Sequence, residues 1–253
     1  MVLKICFLLP IFITSFLSIA SNSTVKALDK VPWDINDGKI IASWSEENIY
    51  IYAMDWKREE KENRGVYKEI ILSVKGHERY FSCWEISTNP GFRPKFVLSD
   101  INNDGCKELI VISVGGTGTG VYPEDIHVFR VDSEGFLYDI YVVDPLEGIY
   151  QNVKEKLIIK NGIATIRINI KGNDYTMSVK ESSLGFWGNE VGFGSIIRYS
   201  FVDNKLIVKV NALVGNGVSC GFIVMDYVFE NKRLRINDVK FEKVNNIMFN
   251  YQF

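Results

Sequence analysis

Histidine is nearly absent from this chain: 253 residues contain two, His77 and His127. Nucleophilic sites of the Ser/His/Asp or Cys/His type depend on an imidazole, and no Gly-x-Ser-x-Gly elbow accompanies either one. Cysteine is also sparse, with four residues and no CxxC or Cys/His cluster, which leaves no frame for structural zinc. The formal net charge is only -2, and no basic stripe stands out along the chain, which argues against nucleic acid as a partner. No segment recurs at a fixed period, which argues against a regular propeller. The run Gly115-Gly116-Thr117-Gly118-Thr119-Gly120 lacks the Lys-Ser/Thr of a phosphate loop. It leads through Val121-Tyr122-Pro123-Glu124 into a strand pattern rather than a helix, so neither nucleotide fingerprint applies.

What is present is ordinary globular material: 47% hydrophobic, 24% charged, and 13% aromatic, the last favouring strands. Residues 1–20 differ. They carry one cation, Lys4, and no acid; Ile5 to Leu17 are almost wholly apolar, and Ser18-Ile19-Ala20 places small residues where a signal peptidase reads. The apolar stretch is shorter than the roughly 20 residues of a spanning helix, and Pro10 interrupts it. The expectation is a secretory signal cleaved after Ala20, no stable membrane span, and a secreted or cell-surface protein. Cleavage leaves Cys83, Cys106 and Cys220, an odd count that is no disulfide framework; either one bridge or none fits it.

Residues 21–37 read as a flexible lead-in and residues 38–253 as one all-β domain. Turn signals separate strand patterns throughout: Ser45-Glu46-Glu47-Asn48, Lys75-Gly76-His77-Glu78, Asp132-Ser133-Glu134-Gly135, Asn161-Gly162, Lys171-Gly172-Asn173-Asp174, Asp203-Asn204 and Asn231-Lys232. Leu109 to Val114 is a continuous apolar strand. The charged run Lys57 to Arg64 reads as a solvated loop or edge. Asp144-Pro145-Leu146-Glu147 starts one short helix, with Leu146, Ile149, Tyr150 and Val153 at helical spacing and an end near Lys156. Ser182 to Gly194, with Phe186, Trp187 and Phe193, reads as a packed loop. The architecture expected is an antiparallel, hairpin-rich sandwich or an irregular propeller-like set of sheets.

One segment carries specific chemistry. Asp100-Ile101-Asn102-Asn103-Asp104-Gly105-Cys106-Lys107-Glu108 places oxygen side chains at loop positions 1, 3, 5 and 9, with Gly105 at the sharp turn and the Cys106 carbonyl available at position 7. Hard Ca²⁺ takes six to eight oxygens, and alternate side chains on a tight loop supply them. Ile101 and Leu109 can point into the core and anchor the loop. Position 12 is Val111, so the bidentate Glu of a helix–loop–helix site is missing. Asp34-Ile35-Asn36-Asp37-Gly38 echoes the loop one residue short and reads as a turn.

The segment from Phe96 to Asp132 resembles one FG-GAP or VCBS unit of integrin-type propellers, in which Asp-x-Asn-x-Asp-Gly-x-x-Asp leads straight into an apolar strand. Here Leu109-Ile110-Val111-Ile112 fills that strand, and Glu108 replaces the last Asp. The resemblance spans about 37 residues and implies a local Ca²⁺ site on Asp100, Asn102, Asp104, Cys106 and Glu108, not the whole fold. The chain beyond residue 20 is also similar to exported proteins of spore-forming bacteria that pair this loop with a downstream Thr-Gly-Thr-Gly stretch, a likeness that implies no activity. Two readings of function stay open. One is a non-catalytic exported binding or interaction protein, acting on an extracellular polymer or protein and stabilised by calcium. The other is a secreted hydrolase of cell-wall or extracellular polymer, using carboxylates that the sequence does not single out; Glu124 and Asp125 are noted only for lying near the Gly-rich run.

Overall fold

The computed structural model describes residues 34–62, 64–181, 190–215 and 218–244. The fold is all-β. It opens with a 3₁₀ turn at Ile35–Asp37, so the Asp34 to Gly38 echo is a turn, with the Asp34 carboxylate accepting from the Asn36 N–H. Strands β1 (Lys39–Trp44), β2 (Ile49–Ala53), β4 (Ile70–Val74) and β5 (His77–Phe81) then form a four-stranded antiparallel sheet. Short strands β3 (Val66–Tyr67) and β6 (Ile86–Ser87) pair beside it.

The charged run that reads as a loop is instead helix α1, Trp56–Glu62. Its residues are strong helix formers. Its Glu59 turns inward to accept from the Arg64 and Gly65 N–H groups. Charge content hid this helix because a buried, paired glutamate looks like a solvated one in sequence.

Strands β7 (Lys95–Ser99), β8 (Glu108–Val114) and β9 (Tyr122–Val131) pair antiparallel in chain order. After β10 (Leu137–Val142) and helix α2 (Pro145–Asn152) come β11 (Val153–Lys160), β12 (Ile163–Ile170) and β13 (Asn173–Lys180), a separate three-stranded sheet. The last strands are β14 (Gly192–Val202), β15 (Lys205–Val214), β16 (Val218–Glu230) and β17 (Arg233–Lys243). Their pairing closes on itself: β9, β14, β15, β16, β17 and β10 form a ring, because β10 bonds both β17 and β9. Two of its joints are parallel, β10 with β17 and β9 with β14, which a chain of hairpins does not announce.

The helix α2 begins as its sequence predicts, with the Asp144 carboxylate accepting from the Leu146 N–H at 2.6 Å and Pro145 at the first helical position. It stops at Asn152 rather than near Lys156, because Val153 onward pairs with β12. Ile149 is buried, but Tyr150 is 82% exposed. Five hairpins turn on two residues with positive φ: Lys75-Gly76, Asn161-Gly162, Lys171-Gly172, Asp203-Asn204 and Asn231-Lys232. That geometry matches strand twist, and it draws His77, Glu78, Asn173 and Asp174 into strands. The reading of Ser182 to Gly194 as a packed loop falls mostly outside the described residues; Gly192 to Gly194 belong to β14.

Strand β8 lies between two cores. Leu109 and Val111 face one, with Ile51, Leu72, Trp84 and Phe129; Ile110 and Ile112 face the other, with Val128, Ile166, Val208 and Met225. Alternate side chains of a strand point to opposite faces, so a strand buried on both reads as unbroken apolar sequence. Each fully buried Ile or Leu contributes about 1.5–3 kcal/mol. Such a strand is a rigid base for whatever its first residue, Glu108, presents.

Candidate metal site

The segment from Asp100 to Lys107 is the connection between β7 and β8, closed by the pair Ser99 and Glu108. It is anchored as its sequence suggests. Ile101 packs against the larger core and Leu109 is fully buried in the smaller one. Ser99 Oγ also reaches Asn204 Oδ1 at 3.4 Å, tying the loop base to the β14–β15 turn. Asn103 and Gly105 take positive φ, 58° and 85°, which folds the chain tightly enough to bring positions 1, 3, 5 and 9 together.

The structure gathers four of the five predicted residues into one hydrogen-bonded group. Asp100 accepts from the Asp104 N–H at 3.1 Å and the Gly105 N–H at 2.9 Å. Asp104 Oδ1 accepts from the Cys106 N–H at 2.8 Å. The Asn102 amide nitrogen donates to Asp104 Oδ2 at 3.0 Å and to Glu108 Oε1 at 2.8 Å. Glu108 Oε2 accepts from the Ile101 N–H at 3.0 Å. Cys106 contributes only its backbone here, and its side chain is exposed. Among the described residues, no three His, Cys, Asp or Glu side chains stand close enough to be a ready metal cluster. Two carboxylates converge instead on a neutral amide.

The electrostatics of the group are out of balance. Glu108 is 0% exposed. Its pKa is raised, first by burial and then by the nearby Asp104 and Asp100 charges, against the lowering effect of the Ile101 N–H. The other buried carboxylates among the described residues are each neutralised. Asp55 and Glu59 pair with Arg64 at 2.7 and 3.2 Å, and Glu124 pairs with Lys95 at 3.1 Å. Glu108 has no such partner, although Arg130 stands opposite it in register. The Arg130 guanidinium lies over the Tyr138 ring, 4.9 Å from its centroid. A buried carboxylate without a cation is costly, and two more carboxylates beside it increase the cost.

A hard cation would relieve that imbalance, and the donor types suit calcium. Every side chain of the set offers oxygen, as a hard cation requires. The carboxylate oxygens used by backbone N–H groups keep further lone pairs. The Asp104 N–H is shared between Asp100 and Asn102 Oδ1, the latter at 2.8 Å. Asn102 can therefore turn its oxygen inward and leave that N–H to Asp100.

The remaining candidates disperse. Glu124 and Asp125 point to opposite faces of β9, as neighbours on a strand must. Glu124 is committed to the Tyr199 N–H at 2.6 Å, sealing the place where β9 and β14 separate after Pro123. The two carboxylates do not form a facing pair. His127 stacks on Trp84 at 4.1 Å, and burial holds its pKa down to about 4. His77 lies against Phe136 at 4.2 Å. Within the Gly-rich loop, Gly118 and Val121 bond each other twice in a tight turn. Neither described groove is lined by residues 115–120; one, of about 270 Å³, lies by Lys39, Tyr67 and Arg93, and the other, of about 450 Å³, by Tyr50, Tyr52 and Glu78. Cys83, Cys106 and Cys220 are all free thiols, the last buried.

One charged surface is formed only by the fold. The solvent face of β11–β13 collects basic residues that lie far apart in the chain, and only the strand register shows them together. The signal was the alternation Lys154, Lys156, Leu157 to Lys160 read against its strand partners. Comparison with family models, curated proteins and solved structures finds no match to this chain.

Proposed function

We propose that the chain is an exported, non-catalytic binding or interaction protein whose β7–β8 connection holds one Ca²⁺. The residues that would hold it are Asp100, Asn102, Asp104 and Glu108 through side chains and Cys106 through its carbonyl. The ion would supply charge neutralisation, turning three mutually repelling carboxylates and the Asn102 amide between them into a rigid corner. The observation that carries this reading is Glu108, a fully buried carboxylate with two acidic neighbours and, among the described residues, no basic side chain in ion-pair reach. Export rests on the sequence of residues 1–20, and the non-catalytic reading on the dispersal of the histidines and of Glu124 and Asp125.

A ligand bound only by the folded state stabilises it by about 2.7 kcal/mol at a hundredfold excess over Kd. Chelation is therefore expected to lower the melting temperature, and added Ca²⁺ to restore it more fully than Mg²⁺, which prefers a stricter octahedron. Asp104→Ala is expected to abolish the calcium-dependent shift. Asp132→Ala is the control: its carboxylate accepts from the Glu134, Gly135 and Phe136 N–H groups, so its loss weakens the β9–β10 turn but leaves the calcium shift intact. Equal melting with and without calcium in the native sequence contradicts the proposal.

A further inference from the structure

The three-stranded sheet β11–β13 has one face on the core and one on solvent. Ala164, Ile166, Ile168 and Ile170 of β12, with Met177 and Val179 of β13, are buried. The register places Lys154, Lys156 and Lys160 of β11, Arg167 of β12 and Lys180 of β13 on the opposite face, all exposed. Lys156 stands directly opposite Arg167, and Lys154 lies two residues from Lys156 on the same side. Like charges directly across a strand pair repel and destabilise. Yet none of these five side chains forms an ion pair among the described residues, while thirteen other contacts pair cations with acids elsewhere. The only acid on this face is Asp174, and it already accepts from the Asn169 amide at 2.7 Å. The chain as a whole has more acids than bases, 31 against 29, so its composition does not produce such a face by itself.

Protection of a sheet edge explains part of this arrangement. Lysines on an edge strand discourage pairing with another chain, and β11 is an edge strand. Arg167 is not explained in that way, because β12 is the central strand. Nor does edge protection call for cations on all three strands.

We infer that this face binds a linear polyanion, a flexible chain of phosphate groups lying along β11 and across Arg167. Alternate residues of a strand are about 6.6–6.8 Å apart, so Lys154 to Lys160 makes a stripe of roughly 20 Å. A stripe suits a chain of charges better than a single ion. Neutral donors sit between the cations: Thr165 and Ser178 touch at 3.4 Å in the row between Lys156 and Lys160, and Thr176 is the β13 partner of Arg167. Arg167 offers the planar fork that grips phosphate oxygens. The face carries no aromatic residue, so it has nothing on which bases or sugar rings would stack. It also has no aromatic anchor of the kind that holds proteins at a membrane surface. The recognition is of backbone charge.

The test is titration of the full chain into labelled long-chain inorganic polyphosphate, in metal-free buffer so that the result is independent of the calcium loop. Binding is expected to weaken about 50- to 130-fold between 50 and 200 mM salt, as neutralisation of four or five phosphates on a flexible chain requires. The pair Lys156→Glu with Arg167→Glu is expected to lose at least tenfold in affinity at 50 mM salt and to flatten the salt dependence. The pair Lys57→Glu with Lys61→Glu on α1 is expected to bind as the native chain does. An unchanged melting temperature shows that each variant is folded. Absence of binding by the native chain at 50 mM salt overturns the inference. So does an equal loss from the α1 pair, which would make the attraction diffuse. Binding to vesicles of 30% anionic lipid that polyphosphate fails to compete away also overturns it, making a membrane surface the partner.

Discussion

The β7–β8 connection brings Asp100, Asp104 and Glu108 together, and the outer face of β11–β13 brings five cations together. Among the described residues neither Glu108 nor any of the five has an ion-pair partner, but the surroundings differ. In the first, a carboxylate with no exposed surface stands beside two others. In the second, basic side chains extend into water. Coulomb repulsion is strongly screened in water and weakly screened inside a protein. The first cluster therefore carries a folding cost that a small, hard ion on the spot can relieve. The second costs little, and it is arranged for a partner that arrives from solution. Burial, more than the number of charges, separates a structural ion site from a docking surface.

The largest expected effect tests that rule at a third place. His127 is a half-buried base, stacked on Trp84, whose pKa is lowered by desolvation to about 4 from an ordinary 6.5. The unfolded chain takes up its proton first, so the stability tied to neutral His127 is complete above pH 6.5 and is lost as pH falls toward 4. A shift of this size corresponds to at most about 3 kcal/mol. His127→Phe keeps a ring against Trp84 and has nothing to titrate. Urea unfolding at pH 7 and pH 4 is expected to show a smaller acid loss in this variant than in the native chain; equal losses mean that burial does not hold His127 neutral.

The next effect has an opposite sign in the two regions. Glu108→Gln removes the uncompensated charge while keeping an oxygen for the Ile101 N–H. The metal-free variant is expected to be more stable than the native chain by about 1–2 kcal/mol at neutral pH, and to gain nothing from calcium. Thermal melting in chelator reads both; a less stable variant in chelator would show that the Glu108 charge is not a liability. The smallest effect belongs to the exposed face. Arg167→Gln is expected to change stability by less than about 0.5 kcal/mol, because a charge already in water gives up little. A larger loss would mean that Arg167 is structural.

The same contrast explains what the sequence could convey. The hydrogen-bonded acidic group was legible because Asp100, Asn102, Asp104 and Glu108 lie within nine consecutive residues and the spacing itself is the signal. β8 was legible because a strand buried on both faces reads as a plain apolar run. The basic face was hidden, since Lys156 and Arg167 become neighbours only through the Asn161-Gly162 turn, and their individual contexts read as ordinary surface. Helix α1 was hidden for a related reason: only Arg64 and Gly65, which meet the Glu59 carboxylate in space, distinguish it from a solvated charged run. The closed ring of strands depends on two short parallel joints that leave no local trace.

The calcium ion proposed beside Glu108 is open to direct measurement. Isothermal calorimetry on protein first stripped of metal tests it directly. A saturable heat with one Ca²⁺ per chain, lost in both Asp104→Ala and Glu108→Gln, is the predicted result. No heat of binding at millimolar Ca²⁺ would contradict it and leave the β7–β8 connection an Asx-rich turn built around a buried acid.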